Sequence, residues 1–85
     1  MSRGKDNFRT VDMFMSEKDP TRVQYHDSVG NCADYILRHR ITNNFNMTGW
    51  SKRAVRHDLR SLSYEKETYV GGVLVTRIDP SPSYN

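Results

Sequence analysis

The chain has 85 residues, of which 35% are hydrophobic and 27% are charged, with 13 Lys and Arg against 10 Asp and Glu. A chain of this length holds one small core at most, and no apolar run approaches the roughly 20 residues that cross a bilayer. Its single cysteine, Cys32, excludes an internal disulfide, so we expect an intracellular, reducing environment and a cytoplasmic protein.

The positive charge is concentrated in one segment. Residues 38–60 carry six basic side chains and one acidic side chain, whereas residues 1–37 carry five and six and residues 61–85 carry two and three. A local excess of this kind attracts an acidic partner, and the phosphates of nucleic acids are the commonest. The charge pattern therefore indicates a binding protein.

The N-terminal third shows only weak signals. Residues 1–10 are polar and predict a flexible arm. Val11–Met15 fits a short strand or one turn of helix, and the segment is too short to decide between them. Asp19–Pro20 predicts a turn, and the alternation in Arg22–Tyr25 predicts a short strand after it.

A first helix is predicted from Ser28 to Arg40. Asp27 or Ser28 can cap its N-terminus, and His39 and Arg40 place positive charge near its C-terminus, where the helix dipole favours it. One face of this helix carries apolar residues at helical spacing and should be buried: Val29, Cys32, Ala33, Ile36 and Leu37.

A second strong helix is predicted after Ser51, its expected N-cap. The segment before it, Ile41–Trp50, is rich in Asn, Thr and Gly and holds at most a short helix before a turn at Thr48–Gly49. The second helix carries an apolar stripe that should pack on the first helix: Val55, Leu59 and Leu62. The face roughly opposite the stripe is cationic and carries Arg53, Arg56 and Arg60.

The C-terminal third predicts a β-hairpin. Glu65–Val70 and Val73–Ile78 alternate with a period of two on either side of Gly71–Gly72, and two glycines suit a tight turn with positive φ. Two prolines at 80 and 82 then prevent a further strand and predict a frayed tail over residues 79–85. Residues 11–78 would form a single domain.

The order of helix, short helix or turn, basic helix and glycine-tipped hairpin resembles the winged helix-turn-helix family of transcriptional regulators. The resemblance extends over residues 28–78 and is strongest in Met47–Leu62. A small residue ends the family's second helix, a Ser or Thr caps the third, and Val and Leu anchor its back. In this sequence Gly49 is the small residue and Ser51 is the cap. The apolar residues at the back of the helix are Val55, Leu59 and Leu62. The implied fold is α+β, a small winged-helix-like domain with two to three helices and a C-terminal hairpin as the wing.

The resemblance implies binding to double-stranded DNA by a small regulator of transcription or an accessory factor. Arg can donate two hydrogen bonds to guanine in the major groove, whereas Lys and Ser hold phosphates. Arg53 and Arg56 are the candidates for base edges. The remaining candidates would contact the phosphates of the DNA backbone. They lie on or next to the helices and on the wing strands: Arg40, Ser51, Lys52, Arg60, Lys66 and Arg77.

Three other interpretations remain open. A protein-interaction module, such as a small viral or plasmid-encoded inhibitor of host machinery, would use the same basic helix against an acidic protein surface. Binding of RNA or single strands would add stacking on aromatic residues, namely Tyr35, Trp50, Tyr64 and Tyr69. The cationic face could also be a solvated surface without a partner.

No enzymatic, cofactor or metal site is expected. His26, Cys32 and His39 lack the close pairing that zinc ligands have, and Cys32 lies on the apolar stripe without an orienting third group. We therefore expect a protein that is not an enzyme, binds no cofactor or metal and does not enter a membrane. The sequence leaves its oligomeric state open.

Overall fold

A pair of strands, a pair of helices and a second pair of strands follow one another along the chain. The computed structural model describes residues 7–12 and 23–79. Their elements are β1 (Asn7–Asp12), β2 (Val23–His26), α1 (Val29–Thr42), α2 (Lys52–Arg60), β3 (Glu67–Val70) and β4 (Val73–Ile78). The fold is α+β, as the sequence predicts. Neither of the two described helices is long and apolar enough to cross a membrane.

The four strands form one antiparallel sheet in the order β2-β1-β4-β3. In the β1–β4 register, Phe8 lies opposite Arg77 and Thr10 lies opposite Val75. Successive side chains of a strand point to opposite faces, so these positions share one face of the sheet. That face packs against the helices, since Phe8, Thr10 and Val75 are completely buried.

The flexible arm predicted over residues 1–10 is wrong for Asn7 to Thr10. These residues belong to β1, the strand that lies between β2 and β4. The polar composition misled because only two positions, Phe8 and Thr10, fill the core, and the second is a threonine whose hydroxyl meets the His26 ring nitrogen Nε2 at 3.2 Å. A hydrogen bond offsets the cost of burying a hydroxyl group, so a threonine can occupy a core position.

The strand predicted over Arg22–Tyr25 is confirmed as β2, Val23–His26. Val11 and Asp12 extend β1, which supports the strand alternative for the segment that begins at Val11. Its continuation at 13–15, the turn at Asp19–Pro20, residues 1–6 and the tail from Pro80 onward lie outside the described residues.

Both helices pack on the same face of the sheet. Val55 and Leu59 of α2 are completely buried with Cys32 and Ile36 of α1, and Leu62 is partly buried against them, which confirms the predicted stripe. The sheet contributes further apolar side chains to this core: Phe8, Val70, Val73 and Val75. Burying an aliphatic or aromatic side chain of this size contributes about 1.5–3 kcal/mol each, so this layer supplies most of the stabilisation.

The segment Ile41–Trp50, for which the sequence allows at most a short helix, forms no helix of its own, so the winged-helix expectation of two to three helices is met by only two in the described residues. Helix α1 continues to Thr42, and the Asn43 side chain donates to the His39 carbonyl at 2.8 Å. Asn44 then adopts the left-handed conformation with φ of 58°. Asparagine side chains compete for backbone hydrogen bonds and tolerate positive φ, so here Asn43 and Asn44 end α1 and turn the chain.

The predicted hairpin is confirmed, with β3 and β4 joined by Gly71 and Gly72 at φ of 63° and 91°. Its tip does not project into solvent as a wing would. A Cβ atom at Gly71 would lie 2.7 Å from Ile36 Cγ2 and 3.2 Å from Trp50 Cζ3, so only glycine allows the tip to rest against α1 and Trp50.

Candidate nucleic-acid interface

The basic helix α2 begins as its sequence predicts. Ser51 is the N-cap, and its Oγ accepts a hydrogen bond from the Ala54 backbone N–H at 3.1 Å. A serine cap satisfies one of the free backbone donors in the first turn and contributes about 1 kcal/mol. Ser51 is exposed, but its hydroxyl oxygen already accepts the hydrogen bond that caps the helix.

Burial of one side of α2 fixes which side faces solvent. Val55 and Leu59 face α1 and the sheet with no exposed surface. Arg53 and Arg60 lie opposite them and are exposed, and Arg56 is half-buried on the same side. None of these three arginines forms an ion pair with a described residue. The helix thus presents three guanidinium groups that the described part of the protein does not neutralise.

Lys52 sits at the same end of α2 but is already paired. Its Nζ lies 3.1 Å from Oδ1 of Asp34 in α1, and both side chains are about half exposed. An exposed pair of this kind contributes about 0–1 kcal/mol, so an anionic ligand can compete for the ammonium group at small cost.

Arg40 is half-buried and stacked on aromatic rings, which sets it apart from the exposed cations. Its guanidinium carbon lies 3.9 Å from the centre of the Trp50 ring and 5.1 Å from that of Phe45. Nη2 donates to the Asn46 carbonyl at 2.6 Å. Stacking between aromatic rings fixes the guanidinium and the 45–50 segment together, so Arg40 positions the start of α2.

Arg77 of β4 has the corresponding role at the other end of α2. Its Nη1 donates to the carbonyls of Arg60 at 2.8 Å and Leu62 at 3.2 Å, and the guanidinium stacks 4.4 Å from the Tyr64 ring. A cation at the C-terminus of a helix satisfies free carbonyls and opposes the negative end of the dipole. Arg77 therefore anchors α2 to the sheet.

Lys66 lies between Glu65, whose backbone N–H donates to the Arg77 carbonyl at 2.7 Å, and Glu67, which pairs with Thr76. It is exposed and immediately precedes β3, at the end of the hairpin away from the Gly71–Gly72 tip. The structure therefore brings Arg53, Arg56 and Arg60 together on α2 beside Ser51 and Lys52, and leaves Lys66 near the exit of the helix.

No protein-family model, curated protein or solved structure matches this chain. The side chains of the described residues and their surroundings are therefore what indicates a function. Those surroundings divide the basic residues into two groups, the exposed cations of α2 and the two arginines that hold α2 in place.

Two exposed side chains beside this surface were not among the sequence candidates. His57, whose side chain is 83% exposed, follows Arg56 and lies on the cationic side of α2 at helical spacing. Arg38 is exposed in α1, one turn after Asp34, the partner of Lys52. The spacing of Arg38 from Asp34 can be read from the sequence. The contact between Asp34 and Lys52 of α2 cannot, because it depends on how the two helices pack.

Cys32 lies buried in the core. Burial raises the pKa of the Cys32 thiol to about 12, so the nucleophilic thiolate is suppressed near neutral pH. Within residues 7–12 and 23–79, no group of three His, Cys, Asp or Glu side chains is placed to hold a metal ion. What the described surface offers is a row of cations on a short rigid helix.

Proposed function

We propose that the protein binds double-stranded DNA through the exposed face of α2, as a small regulator or accessory factor in the manner of a winged-helix protein. The observation that carries this proposal is the outward face of α2. Arg53 and Arg60 are exposed there, Arg56 is half-buried beside them, and the apolar face of the helix is turned into the core. Guanidinium groups that pair with no carboxylate of the described residues are available for phosphates and guanine edges.

The dimensions of α2 suit the major groove. Helix α2 is nine residues long, and a helix with its side chains is about 10–12 Å across, which matches the groove width of about 12 Å. Recognition helices place their N-terminal residues on base edges, which assigns that role to Arg53 and Arg56. Lys52 and Arg60 would then hold phosphates on either side of the groove, with Ser51 beside Lys52.

Arg40 and Arg77 take a different part in this proposal from the one that the charge pattern predicted. Each is bound to backbone carbonyls and stacked on an aromatic ring, one near the start of α2 and one near its end. They would set the angle at which α2 enters the groove and would not contact the DNA themselves. Lys66 remains a candidate for a phosphate contact outside the groove.

Duplex binding measured across a range of salt concentrations tests the proposal. The logarithm of the association constant should fall linearly with the logarithm of salt, by about 0.9 for each phosphate contact. On a site selected from a random pool, Arg53→Ala and Arg56→Ala should each cost about 1–3 kcal/mol and relax the preference at one base position. Lys52→Ala and Arg60→Ala should weaken binding to all sequences and lower the salt slope by about 1.

Arg9→Gln is the matched control for these variants. It removes the same charge from the face of the sheet that is turned away from the helices, so binding should stay within about twofold of wild type. If wild-type protein fails to bind duplex DNA even at low salt, the proposal is wrong. Retained capture of an acidic protein through the same arginines would then favour the protein-docking interpretation.

A further inference from the structure

The face of the sheet turned away from the helices carries a continuous apolar row. The β-register places Val23 opposite Val11, Val11 opposite Leu74, and Leu74 opposite Tyr69. The row therefore crosses all four strands. None of its members is buried, and Tyr69 at its β3 end is 64% exposed.

The neighbouring row on this face is polar but carries no net charge. It runs Tyr25, Arg9, Thr76, Glu67 from β2 to β3. Arg9 Nη2 lies 3.1 Å from Glu67 Oε2 and donates to Thr76 Oγ1 at 3.2 Å. Because the only guanidinium in the two rows is paired within the face, the rows offer no free cation to a phosphate backbone. This face is thus chemically unlike the outward face of α2.

Charge neutrality and exposed aromatic rings favour a protein partner on this face. Tyr25 is 71% exposed at the β2 edge and Tyr69 is 64% exposed at the β3 edge. Tyrosine is enriched and charged residues are depleted at the centres of protein interfaces. A partner with a matching pattern, apolar beside a balanced polar row, would fit.

We propose that this partner is a second copy of the chain, packed face to face about a two-fold axis that runs along the strands between β1 and β4. Such an axis lays each row on itself in reverse order. In the apolar row, Tyr69 of each protomer then covers Val23 of the other, and Leu74 covers Val11. Each large side chain meets a smaller one, which is the complementarity that packed sheets require.

The polar row is self-complementary about the same axis. Tyr25 of one protomer meets Glu67 of the other, so its phenol O–H can donate to the carboxylate. Arg9 lies opposite the position of Thr76, a residue that is only 7% exposed and whose hydroxyl is contacted by Arg9 of its own chain. No like charges are brought together, since the arginines and the glutamates of the two copies oppose uncharged side chains.

The size of the face predicts a weak dimer. Four strands about 4.8 Å apart and up to six residues long cover about 300–400 Å² per protomer. Stable interfaces bury about 800 Å² per partner, so we expect association with a dissociation constant on the order of 0.1 mM. Local concentration on DNA would raise the dimer population.

The consequence for DNA rests on the proposed function. Because the helices lie on the opposite face of each sheet, a dimer of this kind carries its two α2 helices on opposite outer sides. One dimer would then hold two separate duplex segments instead of two half-sites on one face of a single duplex. In a bead assay, a tethered duplex should retain a second labelled duplex at protein concentrations near the dimer dissociation constant.

Sedimentation velocity over about 0.01–1 mM protein tests the interface without DNA. We expect the weight-average sedimentation coefficient of wild-type protein to rise towards that of a dimer and not beyond it, because a two-fold interface closes. Tyr69→Glu and Leu74→Glu should abolish this rise. Tyr69 is exposed, so its variant should keep the far-UV circular dichroism of the folded protein even if the Leu74 variant does not.

Ile41→Glu is the matched control, since Ile41 is 61% exposed on α1 and lies away from the sheet. It should dimerise like wild type. A wild-type protein that stays monomeric, assembly beyond the dimer, or equal loss in the Ile41 and Tyr69 variants would overturn the interface. Dimerisation with no DNA binding would instead refute the proposed function alone. The Tyr69→Glu variant should bind a single duplex with an affinity within twofold of that of wild type.

Discussion

At the scale of single residues, His26 couples the edge strand β2 to the helical layer. Its ring lies on the helix side of the sheet, with Nε2 3.2 Å from the buried Thr10 hydroxyl and the ring centre 5.0 Å from that of Tyr35. Loss of hydration on burial lowers the pKa of His26 below that of a free histidine, and the neighbouring Asp27 only partly opposes this. The folded protein therefore prefers the neutral imidazole.

This preference makes stability depend on pH. A histidine in the unfolded chain has a pKa of about 6.5, so above that value neither state is protonated and the contribution of His26 is fully present. As pH falls below about 6.5, the unfolded chain binds the proton more readily, and stability is lost toward the lower folded pKa. We expect the free energy of unfolding to fall between about pH 7.5 and 5.5, by less in His26→Gln than in wild type.

His57→Gln provides the control, because that side chain is 83% exposed. Urea unfolding at several pH values should give His57→Gln the wild-type pH dependence. Equal slopes for wild type and His26→Gln would show that burial of His26 does not control the acid side of the stability profile.

Arg40 and Arg77 mark the limit of residue-level prediction. Both are basic residues in or next to the predicted recognition elements, so the sequence alone predicts that they contact phosphates. What separates them is a tertiary partner, the Trp50 ring for Arg40 and the Arg60 carbonyl for Arg77. For Arg53 and Arg56 the helical spacing was sufficient to predict the side of α2 on which they lie, since a buried stripe at Val55 and Leu59 fixes the opposite face, and their contact with DNA stays a prediction.

At the scale of elements, long periodic segments were predictable and short ones were not. The cap at Ser51, the stripe of α2 and the glycine hairpin all follow from local chemistry that tertiary structure did not change. The segment after α1 carries equally local signals, but they had two meanings. Asn43 and Asn44 fitted a poor short helix within a winged-helix pattern, and in the structure they cap α1 and turn the chain.

The docking of α2 is the element-level feature that can be tested most directly. Leu59 is completely buried between the layers, whereas Leu62 is only partly buried. We expect Leu59→Ala to lower the free energy of unfolding by about 2–5 kcal/mol, and Leu62→Ala to cost less because its cavity opens to solvent. Urea titration followed by circular dichroism measures both. A near-neutral Leu59→Ala would mean that α2 packs through its other face and that the arginines are not turned outward.

At the scale of the whole molecule, the described side chains divide the protein into two faces. The helices separate exposed arginines on one side from a neutral, partly apolar sheet surface on the other. This division depends on β1, whose pairing with β4 joins the beginning of the described chain to its end. No local pattern could predict it, because pairing of distant strands depends on the global topology.

The central position of β1 predicts that the domain unfolds as one unit. Phe8 is completely buried beneath the helices, so Phe8→Ala should cost about 3–5 kcal/mol, a large part of the stability of a small domain. Trp50, the single tryptophan, reports on the distant contact between α1 and the hairpin tip. Its fluorescence and the far-UV circular dichroism should therefore shift together to lower urea, as a two-state transition requires.

Tyr25→Ala is the control, because it truncates an exposed aromatic side chain in β2. It should change the free energy of unfolding from either probe by no more than about 0.5 kcal/mol at micromolar protein. If Phe8→Ala shifts the dichroism and leaves the Trp50 transition in place, the N-terminal strands form a separate unit that does not support α2.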